Sequence, residues 1–121
     1  MWEVEVTDQF VQWYADPDQL TDAQREAVTA VVDLLADHGP SLKRPVVGEI
    51  KGSRHKNMKE LCVSEEGELR VLFLFDPRRA AILLLGGNKT GDWNDWYKTA
   101  VPAADDLYDD YLDELKKEGL I

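Results

Sequence analysis

The sequence predicts an α+β fold: a small, mostly antiparallel sheet with helices packed against it and a long C-terminal helix. Three observations lead there. Apolar residues alternate at residues 2–7 and become strand-like again at 58–85, while the segments before and after that block repeat at helical spacing. The middle block splits into three apolar runs divided by Ser64-Glu65-Glu66-Gly67 and Asp76-Pro77-Arg78-Arg79, so its strands are neighbours in an antiparallel meander. A chain of 121 residues without internal repeat or low-complexity linker fits one domain, residues 1–121.

Each element has its own signal. Trp2, Val4 and Val6 alternate with Glu3, Glu5 and Thr7, giving a first strand with one wet face. Asp8 is placed to cap a short helix carrying Phe10, Val11, Trp13 and Tyr14, stopped near Pro17. Thr21-Asp22-Ala23-Gln24 reads as a capping box, and Ala27, Val28, Val31, Leu34 and Leu35 follow at helical spacing. Gly39-Pro40 ends that helix. Residues 40–57, rich in Lys, Arg, Pro and Gly, read as an extended connection. Strands are expected at 58–63, 69–75 and 80–85, the last a continuous apolar run of the kind covered on both faces. Pro77 excludes a primed two-residue hairpin, so a longer loop around a type I turn is expected. Pro102 suits the first turn of the last helix, whose stripe is Ala104, Leu107, Tyr108, Tyr111, Leu112 and Leu115 and whose stop is Gly119.

Composition narrows the function classes. No apolar run approaches the roughly 20 residues of a membrane span, and the acidic, alternating start does not resemble a secretory signal. Cys62 is the one cysteine, so no internal disulfide forms. These features lead to the expectation of a reduced, cytoplasmic protein. The formal net charge is −10, which argues against non-specific nucleic-acid binding. The charge is uneven, however: about −8 over residues 1–42, about +3 over 43–98 and about −5 over 99–121. Exposed charges more than about 8–10 Å apart are largely screened at physiological salt, so the basic middle can still hold phosphate locally.

The chemistry-bearing residues lie in that middle. In the second strand of the meander Leu69, Val71, Phe73 and Phe75 share the core face, and Arg70 stands opposite with Leu72 and Leu74. A half-buried arginine needs an anion, either a carboxylate such as Glu60 or Glu68 or a ligand phosphate. Lys89 follows Gly86-Gly87-Asn88, where glycines permit close approach and a lysine can neutralise a phosphate. Arg54, His55, Lys56 and Lys59 cluster with Ser53 and Asn57, either as a solvated loop or as a phosphate-binding surface. Trp93, Trp96 and Tyr97 are open between packing and base stacking, with packing favoured for Trp96. His38 reads as a structural cation at a helix C-terminus. No zinc-ligand spacing, Walker loop, dinucleotide fingerprint or Ser-His-Asp arrangement occurs, so no cofactor or metal is expected. Arginine, lysine and tyrosine together suit phosphodiester cleavage by the RNA's own 2′-hydroxyl, because cations stabilise the charge of the pentacovalent phosphate.

These residues resemble the RelE/ParE superfamily of toxins, and within it the HigB-like branch. The resemblance runs through most of the chain and is carried by Lys51-Gly52-Ser53, Met58-Lys59-Glu60-Leu61, Leu69 to Phe73, Phe75 to Arg79, Ala81 to Lys89, Trp93 to Tyr97 and Pro102-Ala103-Ala104. It implies a RelE-like fold and the toxin of a type II toxin–antitoxin pair, a metal-independent endoribonuclease that cuts mRNA on translating ribosomes. It also implies a helix-turn-helix antitoxin partner, with DNA bound only through the toxin–antitoxin complex and no membrane partner. By motif, Arg70 and Lys89 match the catalytic cations and Tyr97 a later aromatic that acts as acid or stacking group. Arg54, His55, Lys56, Lys59, Arg78 and Trp93 would line the RNA path, with Arg54, His55 and Lys59 alternatively assisting proton transfer, and the general base stays open between His55, a lysine with a lowered pKa and ribosomal groups. Related sequences place an arginine after Glu-Leu where this chain has Cys62, which implies a lost cation and weaker activity. Two other readings share the fold: a ParE-like, non-catalytic inhibitor of DNA gyrase, and a degenerate binding partner of an antitoxin.

Overall fold

The computed structural model describes residues 1–121, the side chain of Trp93 excepted. Five strands form one sheet: β1 (Val4–Val6), β2 (Val47–Glu49), β3 (Lys59–Ser64), β4 (Glu68–Phe75) and β5 (Ala81–Asn88). Their order is β1-β5-β4-β3-β2; β1 runs parallel to β5 and the other pairs are antiparallel. The helices are α1 (Asp8–Ala15), α2 (Asp22–His38) and α3 (Trp93–Lys117). This is the expected α+β architecture with a C-terminal helix, and it fits a RelE-like toxin fold.

The sheet separates two cores. Leu61, Val63, Leu69, Val71 and Phe73 face α1 and α2, packing with Phe10, Trp13, Leu20, Val28 and Leu35. Leu72, Leu74, Ile82 and Leu84 face α3, packing with Ala100, Val101, Ala104 and Tyr108. Residues 69–74 of β4 are therefore buried on both faces, as a central strand between two helical layers must be.

Local chemistry sets the ends. The α1 cap is Thr7, which accepts from the Phe10 N–H at 3.0 Å; Asp8, expected as the cap, is the first helical residue. The capping box at Thr21 and Gln24 is present in both directions. In the β4–β5 loop the Arg79 N–H meets the Asp76 carbonyl at 2.7 Å and Arg79 takes φ 70°, which is a type I turn followed by a left-handed residue, as expected.

Three further expectations need correction. The connection at 40–57 contains β2, an edge strand only three residues long, too short to show a period. Val6 is 47% exposed, at the end of β1 on the sheet edge. The last helix begins at Trp93, and Pro102 lies inside it. Pro102 is exposed, on the outer side of the helix, and the helix continues through it. Trp96, Tyr97, Ala100, Val101 and Ala104 carry its apolar stripe upstream at helical spacing.

A β-bulge is decisive for the site. Phe73 pairs with Leu83 but Leu72 pairs with Leu85, so Leu84 is extra. Its carbonyl is satisfied by the Thr7 hydroxyl at 2.6 Å. Beyond the bulge the alternation reverses, which turns Gly87 and Lys89 toward α3, the side of Arg70.

Candidate active site

Cross-strand register assembles the site on the α3 side of the sheet. Arg70 on β4 lies between Cys62 on β3 and Gly87 on β5. Glu60, two residues before Cys62, shares that face. The glycine pair, expected to admit a ligand, instead admits two tryptophans. A Cβ on Gly86 would sit 2.4 Å from the Trp13 ring on one face, and a Cβ on Gly87 would sit 2.4 Å from Trp96 Nε1 on the other. The first turns of α3 can therefore lie close against β5 and deliver Tyr97 to Glu60.

Arg70, Lys89 and Glu60 are only 8%, 7% and 9% exposed, so each must be matched inside the protein. The Arg70 guanidinium donates through Nη1 to the Leu69 carbonyl at 2.8 Å and through Nη2 to Glu68 Oε1 at 3.3 Å. Its Nε lies 3.4 Å from Glu60 Oε1, within ion-pair range but off the hydrogen-bond line, and is otherwise buried without an acceptor. Both carboxylates considered for Arg70 are thus its partners. The Tyr97 hydroxyl donates to Glu60 Oε1 at 2.5 Å, and Lys89 Nζ lies 5.1 Å from the centre of the Tyr97 ring. Burial first, then the bond to Glu60, pushes the Tyr97 phenol well above its ordinary range, so it keeps its proton at neutral pH. A bond from Ser64 and the Arg70 charge hold Glu68 below the usual carboxylate range. Burial and the Glu60 charge raise the Cys62 thiol, which stays protonated across from Arg70.

Arg70, Lys89 and Tyr97 are therefore brought together, with Glu60 added. The sequence by itself marks Glu60 only as an ion-pair partner for Arg70; its alternation onto the face of Arg70 and Cys62 is the available signal for more. The formal charges of Arg70, Lys89, Glu60 and Glu68 cancel. The arrangement can grip a phosphate, orient a carboxylate and hold a neutral hydroxyl beside it. Glu60 and Tyr97 border a surface hollow of about 310 Å³ with Glu49, Ile50, Lys51 and Asn94. Larger hollows, about 450 Å³ between α1 and α2 and about 580 Å³ beside β1, have acidic or mostly apolar linings and no cluster of this kind.

The remaining expected RNA contacts lie elsewhere. Arg54 binds Asp106 at 2.9 Å and Asp109 at 2.6 Å on α3, and His55 Nε2 lies 2.8 Å from Asp109. The Ser53 hydroxyl donates to the buried Asp105 at 2.5 Å. This loop is clamped to the acidic helix beside Tyr108, with His55 and Tyr108 rings 4.7 Å apart. Tyr108 is eleven residues beyond Tyr97, about 16 Å along the helix, so His55 is not at the Arg70 cluster. Lys56 is exposed in the same loop. Lys59 alternates onto the α1–α2 side, in a hollow with Lys43 and Arg44. Arg78 sits in the turn beyond the end of β4, whose span from Arg70 to Phe75 is about 17 Å, and it is bound to Glu5 at 3.0 Å and Asp76 at 3.2 Å. There Tyr111 also reaches both Glu5 and Asp76. The Trp93 side chain lies outside the described residues. Among the described residues no group of three or more His, Cys, Asp or Glu is arranged to hold a metal, and no helix is long and apolar enough to cross a membrane.

The chain is 47% identical over 89 residues to "Putative toxin HigB2" of Mycobacterium tuberculosis (strain ATCC 25618 / H37Rv), a match covering 72% of this chain and 44% of that protein. It is 48% identical over 86 residues to "Putative toxin HigB3" of the same strain, covering 71% of this chain and 75% of that protein. The chain thus spans less than half the length of the first relative and three quarters of the second. Residues 15–109, which run from the end of α1 to the acidic turn of α3 and include every member of the Arg70 cluster, match the family described as "Phage derived protein Gp49-like (DUF891)", and the chain belongs to that family.

Proposed function

We infer that this protein is the toxin of a type II toxin–antitoxin pair and that it acts as an endoribonuclease on mRNA in translating ribosomes. The observation that carries the reading is the convergence of Arg70, Lys89, Tyr97 and Glu60 from β4, β5, α3 and β3 on one face of the sheet. The toxin names of the two relatives and the resemblance to the RelE/ParE superfamily support it.

The reaction follows from the groups present. The 2′-oxygen of one nucleotide attacks the adjacent phosphorus, forming the O2′–P bond and breaking the P–O5′ bond. The products are a 2′,3′-cyclic phosphate and a free 5′-hydroxyl. The Glu60 carboxylate takes the 2′-proton. Tyr97, neutral and hydrogen-bonded to Glu60, positions that carboxylate. Arg70 carries the charge that develops on the phosphoryl oxygens, and the Lys89 ammonium supplies the proton to the departing 5′-oxygen. A phosphate reaches Arg70 by replacing Glu68, whose side chain is 32% exposed and whose bond to Arg70 is the longer of the two guanidinium bonds. The ribosome supplies the long-range RNA binding that a chain of net charge −10 lacks, and it positions the substrate. A cognate helix-turn-helix antitoxin silences the toxin, and the pair binds DNA as a complex.

The test is brief induction of the wild type and of Arg70→Ala and Lys89→Ala, followed by mapping of new mRNA 5′ ends in cells. In-frame cuts within translated regions, absent in both variants, are expected. Growth arrest with intact mRNA overturns the nuclease reading in favour of a gyrase inhibitor. No arrest favours a degenerate antitoxin partner.

A further inference from the structure

Two hollows lie side by side between the β2–β3 connection and the first turns of α3. The first, about 310 Å³, is the one Glu60 and Tyr97 border. The second, about 270 Å³, is lined by Lys51, Asn94, Tyr97, Lys98, Val101 and Pro102. Lys51, Asn94 and Tyr97 belong to both, so the two form one crevice with Glu60 at one end. Together they reach the size range of small-ligand sites, which starts at about 300 Å³.

We propose that this crevice is a nucleotide subsite, and that it holds the RNA residue whose 2′-hydroxyl attacks. The inference rests on the endoribonuclease reading and extends it to substrate recognition. If Glu60 takes the 2′-proton, the ribose stands at the Glu60 end of the crevice. The base is bonded to the carbon next to the one bearing that hydroxyl, so it must lie in whatever hollow opens beside Glu60. The scissile phosphate, on the 3′ side, points toward Arg70, whose Nε is 3.4 Å from Glu60. The chain on the 5′ side then leaves the other way, past Lys51 and Lys98.

Five lining residues suit that occupant; Glu49, exposed at the end of β2, is the carboxylate beside Glu60 that does not. Ile50 and the Tyr97 ring offer faces to a base. Asn94 is exposed on the first turn of α3 and carries an uncharged carboxamide, which donates and accepts at once and can read a base edge with two bonds. Lys51 and Lys98 face the path of the upstream phosphate as point charges. Lys98 is bound to Asp95 at 2.9 Å, but both side chains are more than two-thirds exposed, so exchanging that partner for a phosphate costs little.

The experiment maps cut sites for the wild type, Asn94→Ala, Asn94→Asp and Lys51→Ala, reading the base immediately 5′ of each cut. The wild type is expected to show a base preference there. Asn94→Ala should reduce that preference by roughly 5- to 150-fold, the factor one bidentate side-chain–base contact supplies. Asn94→Asp, which can only accept, should move the preference to a different base. Lys51→Ala should lower cutting at all sequences alike, leaving the preference in place. A wild type without preference at that position, or an Asn94→Asp variant that cuts with the wild-type base distribution, overturns the subsite while leaving the nuclease reading intact. Absence of any cutting by the wild type overturns both.

Discussion

Replacing Cys62 by arginine tests whether the candidate site is limited by its own charge. Cys62 is directly opposite Arg70 on the face that carries the cluster. Opposed residues on antiparallel strands have Cβ atoms about 4.5–5.5 Å apart, so a guanidinium at 62 stands within about 6 Å of a phosphate held by Arg70. The formal charges of Arg70, Lys89, Glu60 and Glu68 cancel, and an arginine raises the sum to +1. At an effective dielectric of about 20, one further unit of negative charge on the phosphoryl group gains about 3 kcal/mol at that distance. That corresponds to about a hundredfold in rate. Repulsion from Arg70 opposes the gain, and Glu60 and Glu68 offset much of the repulsion. The expected result for Cys62→Arg is about 10- to 100-fold faster cleavage. Cys62→Ser, which keeps size and neutrality, should match the wild type. The assay is single-turnover cleavage of one mRNA on programmed ribosomes at saturating protein, with circular dichroism to check the fold. A folded Cys62→Arg protein that cuts no faster than wild type refutes the charge argument and makes Cys62 a packing residue.

Three further outcomes are expected. Tyr97→Phe removes the hydrogen bond to Glu60 and keeps the ring under Lys89; bonds to charged acceptors are worth about 1.5–3 kcal/mol, so cleavage should fall about 10- to 150-fold with RNA binding retained, and an unchanged rate removes Tyr97 from the mechanism. Gly87→Ala places a Cβ 2.4 Å from Trp96 Nε1, and such overpacking costs about 1–3 kcal/mol, to be read as a lower urea midpoint together with lost cleavage as the start of α3 shifts; wild-type stability contradicts that packing. The hydrogen bonds from Arg54 and then His55 hold the Asp109 carboxyl below its usual range, and a lowered folded-state pKa gives stability that is present above the unfolded value and lost as pH falls through the folded one. Asp109→Asn should therefore melt below wild type at neutral pH, and the gap should begin to narrow near about pH 4 and vanish as pH falls through the lowered folded value; a gap that does not narrow with falling pH in folded protein refutes the pairing.

The α+β class, both N-terminal helices, the three meander strands and the inward face of β4 were legible in the sequence. Each rests on a period or a cap that neighbouring residues define by themselves. Thr21 and Gln24 are three residues apart, and Leu69, Val71 and Phe73 alternate with Arg70. Arg70 as a buried cation in need of carboxylates was legible for the same reason. The start of α3 was hidden because Pro102 imitates a start signal, and β2 because three residues carry no period. What only the tertiary structure decided is which charged groups meet. The bulge at Leu84 turns Lys89 onto the side of Arg70, and no local pattern in an apolar run marks which residue is extra. Tyr97 reaches Glu60 across 37 positions because Gly87 leaves room for Trp96. The carboxylates of α3 bind Arg54 and His55 from more than fifty residues away. Burial is encoded in the spacing of side chains along one element, whereas pairing depends on register and on the approach of elements distant in the chain.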